Sequence, residues 1–439
     1  MVVQKDSKIV IVGAGCFGLS AAYHLLKRGY IDITVLDKSP ILPAPEAAST
    51  DLNKVVRSSY SDVFYTRLAR EAIATWKDRE EWGDAYHESG VLVLLSDSEG
   101  DEPNASYSDK AFMNDTAEGA LIDPLKSTEA IRAIFPPGVQ TAFGEQCSGY
   151  LNKDGGWANA SQGVVLILDK VKSMGGRVIP DKATISLLKE DGKTVGVICA
   201  DGTVYNADLV VLSAGSWTAS TFPELGLSSK CLSSGQCVAV ISLSPEEAQS
   251  YKDCPVYLNF NTGFYIFPPN DQNLVKFAIH SGGFTHTVVS RTAAQQDAPV
   301  TAPVFPAAPN GQGSLIPKIA LKEMREALAK VYPALATKPI SWTRMCWYTD
   351  SSDDDWVIGF HPSDPNVMLA TAGSGHAYKF LPVIGQLVAD AVEGKMDPLL
   401  VRKFALDRPP SLATPSRHNY LARPLDLSQL CTAEDLLTV

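Results

Sequence analysis

The sequence predicts a chain of two domains, an α/β domain with a parallel sheet and an α+β domain built on a largely antiparallel sheet. Three observations support this fold class. A β-branched strand, a glycine-rich turn and a helix follow one another near the N-terminus, alternating strands dominate residues 235–290, and 439 residues are too many for one compact core. We therefore expect a large buried interior that is divided between two domains.

Composition limits the classes of partner. The chain carries 38 Lys and Arg against 49 Asp and Glu, a formal net charge of −11, whereas a nucleic-acid-binding surface needs clustered positive charge. No run approaches the roughly 20 apolar residues that cross a bilayer, and the polar leader before the first strand predicts a cytoplasmic protein. Eight scattered cysteines, without a CxxC pair, predict neither a disulfide framework nor a metal site.

The first elements form a dinucleotide-binding pattern. They are, in order, a strand at 8–12, the glycines Gly13, Gly15 and Gly18, a helix from residue 19, and a strand at 33–36 that ends at Asp37. In such a Rossmann-type turn the glycines let the backbone approach a pyrophosphate, the helix N-terminus attracts it, and the acid accepts hydrogen bonds from a ribose. The motif alone does not separate NAD from FAD.

The rest of the chain predicts the remaining elements of both domains. These are a turn and an amphipathic helix within 153–180, a hairpin leading to a buried strand within 207–217, and the alternating strands of 235–290. A Pro- and Ala-rich loop from Asp297 to Pro309 follows, and then a helix within 319–335 that ends at Pro333. The tail after Pro409 is either a surface wrap or partly disordered.

Two later motifs carry a resemblance to a known family. Residues 344–350 (RMCWYTD) and 373–382 (GSGHAYKFLP) resemble the flavoprotein amine oxidases that include monomeric sarcosine oxidase, pipecolate and saccharopine oxidases, and the fungal fructosyl amino acid oxidases, or amadoriases. The resemblance spans Lys8 to about Arg408. It implies a Rossmann-type FAD-binding domain, a substrate domain, and a monomer that oxidises a small-molecule amine with O2.

The domains that the resemblance implies are discontinuous in sequence. The FAD-binding domain takes residues 1–85, 146–225 and 340–405, the substrate domain takes 86–145 and 226–339, and 406–439 form a C-terminal tail.

Cys346 matches the position at which this family attaches its flavin through a thioether. A thiolate beside Arg344 would have a lowered pKa and could attack an electrophilic flavin. The resemblance therefore implies FAD that is bound covalently through Cys346.

The segment 51–60 combines features of two branches of the family. Asp-Leu-Asn-Lys at 51–54 is similar to the amadoriases, in which the lysine lies against the flavin. Arg57, three residues after Lys54, is similar to the sarcosine oxidase branch, in which the second basic residue binds the substrate carboxylate. Arg can bind a carboxylate through two parallel hydrogen bonds, and Lys379 would supply a second cationic contact.

Lys276 matches the family lysine at the site where O2 reacts, and a fixed positive charge there would stabilise the anionic charge that develops on oxygen. Strand alternation places Lys276, Ala278 and His280 on one face. A histidine at 280 resembles sarcosine oxidase and departs from the acidic residue of the amadoriases, whereas Gly-Phe-Thr-His at 283–286 resembles the amadoriases.

Three sets of candidate site residues follow. The catalytic candidates are Lys276, Lys54 and His280. The substrate-binding candidates are Arg57, Lys379, Tyr60, Phe264 and Arg408. The cofactor-binding candidates are Gly13, Gly15, Gly18, Asp37, Lys38, Asn53, Lys54, Cys346, Gly373, Gly375, His376 and Lys379.

The predicted activity is oxidation of the C–N bond of a secondary amino acid, with a hydride passing to FAD and O2 forming hydrogen peroxide. Glycated substrates and N-alkyl or cyclic substrates, such as sarcosine and pipecolate, both remain open. The alternatives are a natural-product oxidase that turns an N-methyl amino acid derivative into an imine for cyclisation, an NAD-linked dehydrogenase, and a non-catalytic flavin-binding protein.

Overall fold

Two large sheets with covering layers organise the computed structural model, which describes residues 3–96, 105–291, 297–308, 313–409 and 421–437. The first sheet contains the glycine-rich turn, and the second is largely antiparallel. The predicted fold class is confirmed.

The first sheet has six strands within the described residues. In spatial order they are Val357–His361, Asp364–Thr371, Leu209–Leu212, Ile9–Val12, Ile33–Leu36 and Arg177–Ile179. All neighbours pair in parallel except the edge strand Val357–His361. The strand Ile9–Val12 is buried on both faces, which explains its unbroken β-branched sequence.

Different layers cover the two faces of this sheet. The helices Cys16–Lys27, Ala160–Ser173 and Ile384–Val392 pack together in the core that contains Ile9 and Ile11. On the other face, Val10 and Val12 share a core with a three-stranded antiparallel sheet. Its strands are Thr184–Glu190, Lys193–Cys199 and Val204–Asn206.

The second sheet has ten strands within the described ranges. Along its main path they are Arg423–Pro424, Phe284–Thr285, Leu232–Ser242, Leu274–Ile279, Phe264–Ile266, Val256–Asn259, Val91–Ser96, Ser148–Asn152 and Ile122–Leu125, and Trp342–Asp350 also pairs with Leu232–Ser242. The helix Lys318–Val331, followed by Pro333–Ala336, packs on this sheet through residues such as Met324 and Leu328.

Smaller elements join the two parts. The strands Lys54–Val56, Gly156–Ala158 and Tyr86–His87 form a short sheet, and Thr287–Arg291 pairs with Asp297–Thr301. The other helices are Val63–Trp76, Arg79–Trp82, Ala105–Ala117, Thr128–Arg132, Thr218–Thr221, Pro245–Tyr251, Pro398–Lys403 and Ala433–Leu437. Single 3₁₀ turns lie at Gly215–Trp217, Pro223–Leu225, Tyr378–Phe380 and Leu427–Gln429.

The structure differs from the sequence predictions in three places. The stretch predicted as a loop from Asp297 begins as the strand Asp297–Thr301, since a two-stranded ribbon accommodates Pro299. The strands Ser148–Asn152 and Trp342–Asp350 belong to the second sheet, although the predicted boundaries assign them to the first domain. In the tail, Arg423–Pro424 joins the second sheet, and residues 410–420 lie outside the described chain.

Candidate active site

The glycine-rich turn brings separate chain segments into close contact. Gly13 has a φ of +107°, and a Cβ on it would lie 2.4 Å from the carbonyl oxygen of Ser213. A Cβ on Gly18 would lie 1.9 Å from the carbonyl oxygen of Gly13. Among the described residues, no side chain caps the helix Cys16–Lys27 at its N-terminus. Its first amide groups and partial positive charge suit a pyrophosphate in front of the turn.

Asp37 lies beside this turn, as its position after the second strand predicts. Its carboxylate accepts hydrogen bonds from the backbone N–H groups of Ala14 at 2.8 Å and Ser39 at 2.9 Å. The ammonium group of Lys38 lies 3.7 Å from the ring centroid of Trp217. Asp37, Lys38 and Trp217 all line one cavity.

This cavity has a volume of about 540 Å³ and extends from the glycine-rich turn to residues 373–378. The predicted glycines that line it are Gly13, Gly15, Gly373 and Gly375. Asn53, a predicted cofactor-binding residue, is buried and lines neither cavity. The hydroxyl of Ser213, on the wall of the large cavity, has no hydrogen-bond partner among the described residues. An unpartnered buried hydroxyl and a glycine cradle fit a bound dinucleotide such as FAD.

A second cavity, of about 80 Å³, adjoins the first. The residues that line both are Lys54, Tyr348, Gly375, His376 and Tyr378. The basic residues on the wall of the small cavity are Lys54, Arg57, Lys276, His280, His376 and Lys379. Within the described chain, no Asp or Glu lines this cavity. The small cavity is therefore suited to an anionic or zwitterionic ligand.

Asp51 joins the fully buried Lys276 to the partly buried Lys54 at this site. Its Oδ2 lies 2.7 Å from Nζ of Lys276 and 2.8 Å from Nζ of Lys54. Lys276 also donates to the carbonyl oxygen of Asn53 at 2.5 Å. The sequence shows Asp51 only as the first residue of the Asp-Leu-Asn-Lys motif. Its role as a counterion depends on Lys276, a lysine 225 residues further along the chain.

The charges of this trio are perturbed by burial and by one another. Burial lowers the pKa of Lys276 to about 8, although Asp51 acts in the opposite direction. Burial also lowers the pKa of Lys54, but Asp51 and the thiol of Cys346 raise it above its ordinary value. For Asp51 itself, the two lysines outweigh burial and hold the pKa well below its ordinary range. One carboxylate thus faces two ammonium groups, so the trio keeps a net positive charge when both lysines are protonated.

Cys346 lies on the second-sheet strand Trp342–Asp350 and is fully buried. Lys54 Nζ lies 3.8 Å from its Sγ. Arg344, which the sequence suggested as the cation beside the thiol, donates instead to the backbone carbonyl groups of Thr50 and Ala47. The cation in contact with the thiol is therefore Lys54.

Arg57 and Lys379 reach the small cavity from different chain segments. Arg57 is buried, donates to the carbonyl of Ser59, and places its guanidinium 4.5 Å from the ring centroid of Tyr60. Lys379 donates to the Tyr60 hydroxyl and to the carbonyl of His376, both at 2.8 Å. Tyr60 therefore lies behind both cations rather than on the wall of the cavity.

His280 lies where strand alternation predicts, on the cavity wall with Lys276. Its ring centroid is 6.0 Å from that of Tyr348. Gly375 lies close to both rings and has a φ of +69°. A Cβ on Gly375 would lie 2.6 Å from Cε2 of Tyr348 and 2.7 Å from Cε1 of His280. A larger residue at 375 would therefore displace a wall of both cavities.

Two predicted substrate residues lie elsewhere. Phe264 packs in the second core with Tyr257 and Phe277, and the neighbouring Tyr265 lines the cavity instead, because successive strand residues face opposite sides. Arg408 donates from two guanidinium nitrogens to the carboxylate of Asp353, and it lines neither cavity. Neither residue lines a cavity, so the geometry does not support a substrate-binding role for either.

The described chain shows neither a metal-binding cluster nor a membrane-spanning helix. No cluster of three His, Cys, Asp or Glu residues able to hold a metal ion occurs in it. No helix in these ranges is long and apolar enough to span a membrane.

The fold and the two adjoining cavities define a dinucleotide-dependent oxidoreductase that acts on a small polar substrate. The chain belongs to the family described as FAD dependent oxidoreductase (DAO), which matches residues 8–391. It is an FAD-dependent amine oxidase, which resolves the choice between NAD and FAD that the glycine motif leaves open.

Relatives and solved structures span nearly the whole chain. L-saccharopine oxidase of Schizosaccharomyces pombe is 32% identical over 404 residues, covering 88% of this chain and 90% of its own. Human peroxisomal sarcosine oxidase is 25% identical, covering 94% and 99%. The structure of fructosyl peptide oxidase from E. terrenum has a TM-score of 0.85 at 28% identity, covering 96% and 97%. Both substrate branches are thus represented.

Proposed function

We propose that this chain oxidises the C–N bond of a compact secondary amino acid, either N-alkylated or cyclic, and passes the electrons through FAD to O2, which forms hydrogen peroxide. One observation carries the proposal. A small cavity with Arg57 and Lys379 on its wall shares five lining residues with the cavity that fits FAD.

The two cations would bind the substrate carboxylate. Arg57 and Lys379 are both buried, so their attraction for an anion is weakly screened by water. Binding one end of the substrate fixes its orientation before reaction, and this lowers the entropic part of the barrier.

The lysines near the shared wall would favour an uncharged amine. Asp51 balances one of the two positive charges of Lys54 and Lys276, so a net positive charge remains beside the cavity. A protonated amine would be repelled by this charge, whereas its neutral form retains the lone pair needed for oxidation. FAD held at the glycine-rich turn and beside Asp37 would supply the acceptor for the hydride that leaves the substrate carbon, and O2 would take up the electrons as hydrogen peroxide. The imine product then hydrolyses or cyclises.

The wall of the small cavity favours compact substrates over glycated ones. In the described chain it presents His280 and no carboxylate, whereas a glycated amino acid bears several hydroxyl groups and needs further polar partners. A volume of about 80 Å³ also suits a substrate with a short N-substituent.

An anaerobic titration of the purified protein would test this function. We expect sarcosine, pipecolate or an N-methyl amino acid to bleach the flavin absorbance, and fructosyl-valine to leave it unchanged. Bleaching by fructosyl-valine alone would contradict the substrate assignment. Flavin that none of these compounds bleaches would favour the tailoring or non-catalytic alternatives.

Arg57→Gln is expected to weaken the binding of carboxylate substrates about 10- to 100-fold, because one charge-assisted contact is lost. The limiting rate of flavin reduction should change far less. Anaerobic stopped-flow measurements separate the two quantities. Arg402→Gln, at an exposed position, is the control. An unchanged dissociation constant in Arg57→Gln would exclude Arg57 as the anchor.

Cys346→Ala is expected to release the flavin. We propose that the wild-type flavin is attached through this thiol, whose Sγ lies 3.8 Å from Nζ of Lys54. After acid precipitation, colour should stay with the wild-type polypeptide and pass into the supernatant for the variant. Cys254→Ala, a buried thiol that lines neither cavity, is the control. Colour that stays with Cys346→Ala would disprove the attachment site.

A further inference from the structure

A polar cluster lies behind the segment that carries Arg57. The helix Ala105–Ala117 ends against this segment, and Asp115 near its end is fully buried. The two carboxylate oxygens of Asp115 accept hydrogen bonds from the hydroxyls of Ser58 and Ser59, each at 2.6 Å. The amide of Asn152 donates to the same carboxylate at 3.1 Å. A carboxylate buried this deeply persists only where donors surround it.

Asp115 is linked to Arg57 through Ser59. The side chain of Ser59 is bound by Asp115, and its carbonyl oxygen accepts a hydrogen bond from the Arg57 guanidinium. The rings of Tyr60 and Phe260 lie 4.5 and 4.8 Å from that guanidinium. The direction in which Arg57 points is therefore set by where Ser59 is held.

Asn114 is linked to Lys379 through Tyr60. Its side-chain amide donates to the carbonyl oxygens of Tyr60 and Ser61, both at 3.0 Å. The hydroxyl of Tyr60 accepts a hydrogen bond from the Lys379 ammonium at 2.8 Å. Two consecutive residues of one helix thus contact the supports of both cations.

We propose that Asn114 and Asp115 are positioning residues that fix the distance between Arg57 and Lys379, and so set the affinity of the small cavity for a substrate carboxylate. The inference rests on the proposed function, because it assigns the purpose of that spacing. The hydroxyls of Ser58 and Ser59 point toward Asp115. Arg57 and Tyr60, on either side of the two serines, contact each other, and Tyr60 also contacts Lys379. The helix binds the segment between these two residues.

Propionate provides a probe that needs no turnover. Its dissociation constant is measured from the change in absorbance of the bound flavin in the holoenzyme. We expect about tenfold weaker binding in Asp115→Asn, because an amide cannot accept from all three donors, and in Asn114→Ala. Ser59→Ala removes one hydroxyl only, and provides a milder variant if Asp115→Asn folds poorly. Thr116→Ala, an exposed neighbour on the same helix, should bind propionate as the wild type does.

Kinetics distinguish positioning from general stability. The variants should need more substrate for half-maximal flavin reduction, while the limiting rate of reduction and the rate of reaction with O2 stay within about threefold of wild type. Unchanged propionate affinity in folded Asp115→Asn and Ser59→Ala would overturn the proposal. Wild-type protein that binds propionate but is bleached by no secondary amino acid would overturn the proposed function while the positioning role stands.

Discussion

Lys276→Met is expected to slow the reaction of the reduced enzyme with O2 by about 10²- to 10³-fold, the usual cost of removing one preorganised charge from an active site. Lys276 is fully buried, and its ammonium is held by Asp51 and the carbonyl of Asn53. It therefore needs no rearrangement to stabilise negative charge as it develops. Methionine keeps a similar length and removes the charge.

The pH dependence gives an independent check on Lys276. Because its pKa is lowered to about 8, the charged form dominates below that pH and disappears as the pH rises above it. The wild-type rate constant for reaction with O2 should therefore fall as the pH rises through about 8, and this fall should be absent in Lys276→Met.

Stopped-flow mixing of reduced enzyme with O2, beside anaerobic reduction by substrate, measures the two half-reactions separately. Only the first should change greatly in Lys276→Met. The exposed Lys322→Met is the control. An unchanged O2 reaction would show that another group has this role, and Lys54, 2.8 Å from the same carboxylate, would be next to test.

Asp51→Asn is expected to lower the free energy of unfolding by about 3–5 kcal/mol, because the fully buried Lys276 and the partly buried Lys54 would lose their shared counterion. The side chain keeps its shape, so the effect is electrostatic. The pKa of Lys276 should fall further, since the carboxylate that opposes its decrease is gone. The rate of reaction with O2 should then decline at lower pH than in the wild type.

Urea denaturation at neutral pH measures the stability of Asp51→Asn. Asp123→Asn is the matched control, because Asp123 forms an exposed pair with Lys153 and its loss should cost no more than about 1 kcal/mol. Equal losses in the two variants would mean that Asp51 is not the counterion on which the lysines depend.

Local patterns made the first domain predictable. The strand, the glycines and Asp37 lie within 29 residues, and each position follows from local backbone geometry. The face of a strand on which a side chain lies is harder to predict from the sequence. Strand alternation predicts that Lys276 and His280 share a face, and both line the small cavity. Composition alone does not fix which face of the short strand Phe264–Ile266 meets the cavity, and Tyr265 rather than Phe264 lines it.

Long-range pairings were beyond the sequence. Arg408 has the charge needed to bind a substrate carboxylate. Only the tertiary structure shows that its guanidinium is already hydrogen-bonded to the carboxylate of Asp353. Asp51 became significant only once the fold brought Lys276 to it. Asn114 and Asp115 belong to the helix Ala105–Ala117, and their role depends on tertiary contacts with residues 58–61.

The separation of Gly18 from Cys346 bears on how the enzyme is made. The two lie 328 residues apart. A ribosome that adds about 5–20 residues per second therefore synthesises Cys346 roughly 15 to 65 seconds after the glycine-rich turn. The strand bearing Cys346 must also pair with Leu232–Ser242 before the thiol takes up its place. Any attachment of the flavin would therefore be a late step of maturation, because residues 347–349, 371 and 373–378, which also line the large cavity, are synthesised after the thiol.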